Sequence, residues 1–129
     1  MARASGTFDV TLTPQPTDAA TLGRMSIDKR FHGDLEATSK GEMLAAMTEV
    51  TGSAGYVAIE RVTGRLGGRE GTFALQHHGV MTRGAPALMV SVVPDSGTGE
   101  LTGLSGSLSI AITDGKHYYE LDYTIAPAS

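Results

Sequence analysis

Along most of the chain, hydrophobic and polar residues alternate with period two, the pattern of strands that bury one face. Phe8, Val10 and Leu12 alternate with Thr7, Asp9, Thr11 and Thr13. Met25, Ile27, Phe31 and Leu35 alternate with Ser26, Asp28, His32, Asp34 and Glu36, which predicts one long strand bent at Gly33. Residues 42–49 carry helical propensity, but Gly41 and Thr51-Gly52 leave too little length for a stable helix, so a short strand is expected there. Further strands are predicted over residues 54–66, 69–82, 104–113 and 116–125, with another carrying Leu88, Val90 and Val92. Leu104, Leu108, Ile110 and Ile112 are expected to face inward, and Ser105, Ser107 and Ser109 outward.

Turn residues punctuate this alternation. Gly67-Gly68 and Asp114-Gly115 have the chemistry of two-residue hairpin turns, and Pro94-Asp95-Ser96-Gly97 ends a strand. A loop is predicted over residues 14–23, because Pro14-Gln15-Pro16 does not suit a central strand. The phrase T-G-x-L-x-G-x-x-G-[ST] occurs twice, in residues 63–75 and 98–110. Glycines at fixed spacing supply tight turns and close approaches, so the phrase is architectural. About eight antiparallel strands without helical interludes, closed into a barrel to remove unpaired edges, make an all-β single domain over residues 1–129. A sandwich is the alternative.

Composition narrows the function classes. The 129 residues suffice for one core, and the absence of cysteine excludes thiol nucleophiles and thiolate metal sites. A net charge of −4 with no basic block argues against nucleic acid. No apolar run approaches a membrane span and no leader-like segment opens the chain, so a soluble cytoplasmic protein without membrane association is expected. Glycine is abundant and tryptophan absent, which suits a turn-rich barrel outside the families built on a tryptophan near the first strand.

Certain segments resemble known barrels. Gly52-Ser53-Ala54-Gly55-Tyr56-Val57-Ala58-Ile59-Glu60-Arg61-Val62 is similar to the central strand of plant allene oxide cyclases, and residues 96–103 resemble their glycine-rich turn. The span 23–123 resembles more closely a bacterial family catalogued as domain of unknown function 3224. The resemblance rests on Met25–Lys29, Phe31-x-Gly33-Asp34-Leu35, Gly52–Glu60, Gly68-Arg69-x-Gly71, Pro94-x-Ser96-Gly97-Thr98-Gly99 and His117-x-Tyr119. It implies an allene-oxide-cyclase-like barrel, a fold often found as a homo-oligomer. Such cyclases hold a long apolar substrate and steer its conformation; none of their catalytic residues maps onto this chain.

Polar residues in phase with the buried alternation are the candidates for chemistry, because a buried polar group is costly unless paired or used. Glu60 shares a face with Tyr56, Ala58 and Val62; His77 with Phe73 and Leu75; His117 with Tyr119 and Tyr123; Lys29 with Ile27 and Phe31. Glu60 and His77 are the candidate acid/base pair, with Lys29, Tyr56, His117, Tyr119 and Tyr123 as candidate ligand contacts. The competing assignment makes Glu60 half of a structural ion pair with Lys29 or Arg69. His32 and His78 fall on the polar phase. Adjacent His77 and His78 point to opposite faces, unlike the His-x-His of metal-binding barrels, so no metal is expected. No Ser-His-Asp arrangement is legible.

Two functions follow. In the first, the barrel binds a small, largely apolar molecule without a cofactor and carries isomerase- or cyclase-like activity. In the second, a barrel filled by side chains serves assembly alone. An interior cavity of about 300–1,000 Å3 favours the first.

Overall fold

The computed structural model describes residues 1–17 and 22–127. It contains β1 (Ala2–Gln15), β2 (Leu22–Gly33), β3 (Leu35–Met47), β4 (Ala54–Leu66), β5 (Arg69–Thr82), β6 (Ala85–Val92), a 3-10 turn (Gly99–Leu101), β7 (Leu104–Thr113) and β8 (Lys116–Ile125). The strands form a closed barrel in chain order, with every neighbouring pair antiparallel and β1 meeting β8. Among the described residues no helix is long and apolar enough to cross a membrane.

The hairpins at Gly67-Gly68 and Asp114-Gly115 form as expected, all four residues having positive φ (57°, 82°, 52° and 78°). The second strand differs. Gly33, at φ 110°, and Asp34 reverse the chain instead of bending it, so the expected strand over 25–36 splits between β2 and β3. The register explains why alternation ran through unbroken. Phe31 pairs with Ala37 and Lys29 with Ser39, so odd residues face inward on both sides of the turn. The segment 42–49 is strand only to Met47, as the end of this longer β3, because pairing with both β2 and β4 overrides its helical propensity.

Two more expectations are corrected. Pro14 lies within β1, opposite Met25; beyond Phe8 that strand pairs with β2 alone, and a strand with one neighbour tolerates a missing N–H. Residues 18–21 of the expected loop lie outside the described residues. Ile112 shares the inward phase of Leu104, Leu108 and Ile110 but is 66% exposed, because β7 outruns its pairing with β6. The repeated phrase takes two different structures. The first copy is the β4–β5 hairpin; the second is the 3-10 turn leading into β7, and it docks on the first, Thr98 N donating to Thr72 O at 2.8 Å. Gly71 permits that approach, since a Cβ there would lie 2.1 Å from the Thr98 carbonyl oxygen.

One end of the barrel is solid. Leu35, Leu66, Leu101, Leu104 and Leu121 are buried there with Phe31, Phe73 and Tyr119. Each such side chain contributes about 1.5–3 kcal/mol by leaving water. The opposite end is ringed by inward-phase residues that stay exposed, namely Leu12, Met47, Met81, Leu88 and Ile112. On the outer wall, Leu44, Val57, Ile59, Val80 and Met89 are also exposed across four adjacent strands.

Candidate functional site

Between the solid end and the mouth, polar side chains interrupt the apolar interior. Glu60 stands at mid-β4 and is completely buried. Opposite it on β3 is Gly41, where a Cβ would lie 2.8 Å from the Glu60 Cβ and 2.1 Å from the Ile59 carbonyl oxygen. Gly41 therefore keeps the ground beside Glu60 clear of side chain. Ser39 Oγ donates to Glu60 Oε1 at 2.8 Å, while Lys29 Nζ donates to Oε2 at 2.8 Å. His77 Nε2 shares Oε2 at 2.6 Å. Three strands on two sides of β4 thus converge on one carboxylate.

The energetics of this cluster follow from its charges. Burial alone would raise the Glu60 carboxyl pKa; the hydrogen bond from His77, the charge and hydrogen bond of Lys29 and the charge of His77 outweigh it and hold the value at about 2. Glu60 is accordingly a fixed anion at neutral pH, unsuited to donating a proton. Lys29 supplies the opposing charge, its side chain 7% exposed and its Nζ 4.9 Å from the Phe8 ring centroid and 5.7 Å from that of Phe31.

Because a carboxylate only accepts, His77 Nε2 must be the donor, and in the neutral ring Nδ1 then carries the lone pair. Nδ1 bonds to no described residue. Among the described residues no fully buried side-chain nitrogen or oxygen lacks a partner, so Nδ1 keeps slight solvent contact although His77 is 4% exposed. The Tyr56 ring lies 6.4 Å from that of His77 and rests on Gly79, where a Cβ would come within 2.6 Å of it. Its hydroxyl has no hydrogen-bond partner among the described residues. Burial first, and the Glu60 charge second, raise the Tyr56 pKa and keep the phenol protonated. Tyr56 lines a cavity of about 300 Å3 together with Met43, Ala45, Gly79, Met81 and Leu88, whereas His77 borders a separate pocket in the wall with Gly41, Ala58, Val57 and Ile59.

The structure brings together Glu60, His77, Lys29 and Tyr56 from the sequence candidates. His117, partly buried, packs on Phe8 with ring centroids 5.0 Å apart and borders the cluster through that ring. Tyr119 is committed elsewhere: its hydroxyl accepts from Leu35 N at 2.9 Å and donates toward the His32 and Leu35 carbonyls at 2.9 and 3.2 Å, tying down the β2–β3 turn. Tyr123 lies at the solid end beside Gly67. Arg69, at the start of β5, is exposed and does not meet Glu60, so Lys29 is the ion-pair partner. His78 is exposed, and His32 meets Asp9 at 3.1 Å on the outside. Ser39 was absent from the sequence candidates, although its phase with Leu35 and Ala37 signals an inward polar group. Among the described residues no group of three His, Asp or Glu side chains could hold a metal ion.

Comparison with known proteins places this arrangement in a family. No curated protein matches the chain. A crystal structure of a protein of unknown function of the DUF3224 family, from Shewanella oneidensis MR-1, superposes with a TM-score of 0.95 at 55% identity, covering 99% of both chains. The family described as protein of unknown function (DUF3224) matches residues 4–123, and this chain belongs to it.

Proposed function

We propose that the protein binds a small, largely apolar molecule in the open half of the barrel, with Tyr56 and His77 meeting its polar group and with no cofactor. The observation that carries this reading is the change in the inward-facing residues along the barrel axis. Leucine and phenylalanine fill one end, whereas Ser39, Gly41, Ala45, Ala58 and Gly79 leave the middle and mouth thinly filled above a polar cluster. A barrel serving assembly alone has no need of a buried charged cluster beneath an apolar mouth. The resemblance of residues 52–62 to allene oxide cyclases supports an occupant inside the barrel.

Native mass spectrometry of freshly purified protein tests the reading together with titration of 1-naphthol as an apolar probe. An added mass, or saturable naphthol binding abolished by Leu88→Arg at the mouth, is the expected result. Absence of both, or naphthol binding indifferent to Leu88→Arg, refutes it.

A further inference from the structure

Independently of the binding reading, we infer that the outer wall over β3, β4 and β5 pairs with a second copy of this chain, the Leu44–Val57 ridge of each copy lying in the Gly55 groove of the other. Strand register sets the outward residues in rows. Leu44 stands opposite Val57, Val57 opposite His78, and His78 opposite Met89. One row toward the mouth, Ala46, Gly55, Val80 and Ala87 follow in the same order; one row toward the solid end come Glu42, Ile59, Gln76 and Ser91. Two hollows flank the ridge, one of about 600 Å3 beside Ile59 and Gln76 and one of about 460 Å3 over Ala46, Gly55 and Val80.

Gly55 keeps the second hollow open for no reason internal to the chain. Its φ is not positive, and a Cβ there would meet only the Gly79 carbonyl oxygen and Val80 Cγ1, both at 3.9 Å, an ordinary contact. Gly41 and Gly79, which face inward on neighbouring strands, have no room for one, with a backbone oxygen at 2.1 Å and the Tyr56 ring at 2.6 Å. A glycine inside a strand gives up packing and marks a site where another surface approaches closely. A neighbouring copy that seats its ridge there supplies the missing reason.

Area and charge select a second copy as the occupant. Leu44, Val57, Ile59, Val80 and Met89 are between 42% and 64% exposed. Side chains of this size carry on the order of 150 Å2 of accessible surface, so the five offer roughly 400 Å2, and roughly 600 Å2 with Leu22, Ala46, Gly55 and Ala87 beside them. Two such faces bury about 1,200 Å2, enough for a stable interface. A face that meets its own copy must also tolerate its own charges. Arg24 Nε donates to Glu42 Oε1 at 2.6 Å, and Lys40 Nζ lies 3.6 Å from Asp28, so these charges are balanced within each copy. A two-fold axis parallel to the rows, between ridge and groove, lays ridge over groove twice and carries Arg61, one row beyond Ile59, past the partner's mouth into solvent. No Phe, Tyr or Trp lies in these rows, as a membrane-seated face would carry.

Sedimentation equilibrium and native mass spectrometry of the full chain are expected to give twice 13.4 kDa, with a melting temperature that rises with protein concentration. Val57→Arg on the ridge and Gly55→Val in the groove should each weaken association by about 10²-fold or more while still melting cooperatively as single chains. Mixing Gly55→Val with Val57→Ala should restore pairing as a mixed dimer, because the shortened ridge meets the filled groove. Leu88→Arg, inside the mouth, stays paired. A one-chain mass for the wild type overturns the inference, whether the chain stays in solution or sediments with phosphatidylcholine vesicles. So does any other mass, pairing undiminished in Gly55→Val or in a folded Val57→Arg, or a mixture that forms no mixed dimer.

Discussion

Replacing Glu60 by glutamine removes one charge and almost no volume. Ser39 and His77 can still find polar atoms on the amide, but Lys29, 7% exposed, loses its counter-ion in an apolar surround. Stranding one member of a buried pair costs about 3–5 kcal/mol. A second route gives a similar size: a carboxyl held at about 2 against an ordinary 4.5 corresponds to about 3 kcal/mol of preferential stabilisation of the anion. Against a total stability of about 5–15 kcal/mol this is a large share, and thermal melts should fall by about 10 °C or more. Urea unfolding of the parent, Glu60→Gln, Lys29→Met and the double variant measures it. The double variant should recover much of the loss because no buried charge is left alone. A loss below about 1 kcal/mol in Glu60→Gln, or no recovery in the double variant, refutes the account. Stability loss in Glu60→Gln is compatible with a functional site as well as a structural one, since Lys29 is stranded in either case. Separating the roles falls to His77 and Tyr56.

The same pair sets an acid limit. The Glu60 pKa is lower folded than unfolded, so its contribution is fully present above pH 4.5 and is lost as pH falls from there toward about 2; urea midpoints between pH 6 and 3 should drop in the parent more than in Glu60→Gln, and equal slopes contradict this. Tyr119→Phe leaves the Leu35 N–H without its acceptor and should cost about 1–3 kcal/mol in urea melts, an unchanged midpoint arguing against the hydroxyl as the tie on that turn. Gly33→Ala places a Cβ 2.6 Å from the Ser5 carbonyl oxygen at φ 110°, and should lower the melting temperature measurably; a melt matching the parent would show that the turn adapts. The apolar outer wall is expected to be covered in a homo-oligomer, so light scattering should give a multiple of 13.4 kDa, and the mass of one chain at high concentration would refute it.

Strand phase was the most legible property of the chain. It marks Glu60, His77 and Lys29 as inward, because an inward polar residue breaks an otherwise apolar period. Phase is blind to reversals that preserve it. Phe31 and Leu35 look continuous whether the chain bends or turns back at Gly33, and misplacing that turn removed residues 37–41 from any predicted strand. Ser39 was lost for that reason alone. Depth is equally hidden: Ile110 and Ile112 share a phase, yet only structure shows that the second has passed the rim. Tyr119 and Tyr123 have the same phase as His117 but lie progressively closer to the solid end, so phase groups residues that axial position separates.

The wall between β6 and β7 is joined by only two residue pairs, Val90 with Leu108 and Ser91 with Ser107. Mechanically the molecule is a split ring. Everywhere else a strand must break many ladder contacts to move, whereas residues 109–113 of β7 and 85–89 of β6 border an unlaced cut running from mid-wall to the mouth. Thermal opening concentrates where the lacing stops, so the wall can part between residues 85–89 and 109–113 while β8 stays paired with β1 and the solid end stays clamped. On the binding reading proposed above, that cut is the sideways way in for a guest broader than the resting mouth, past Leu88 and Ile112.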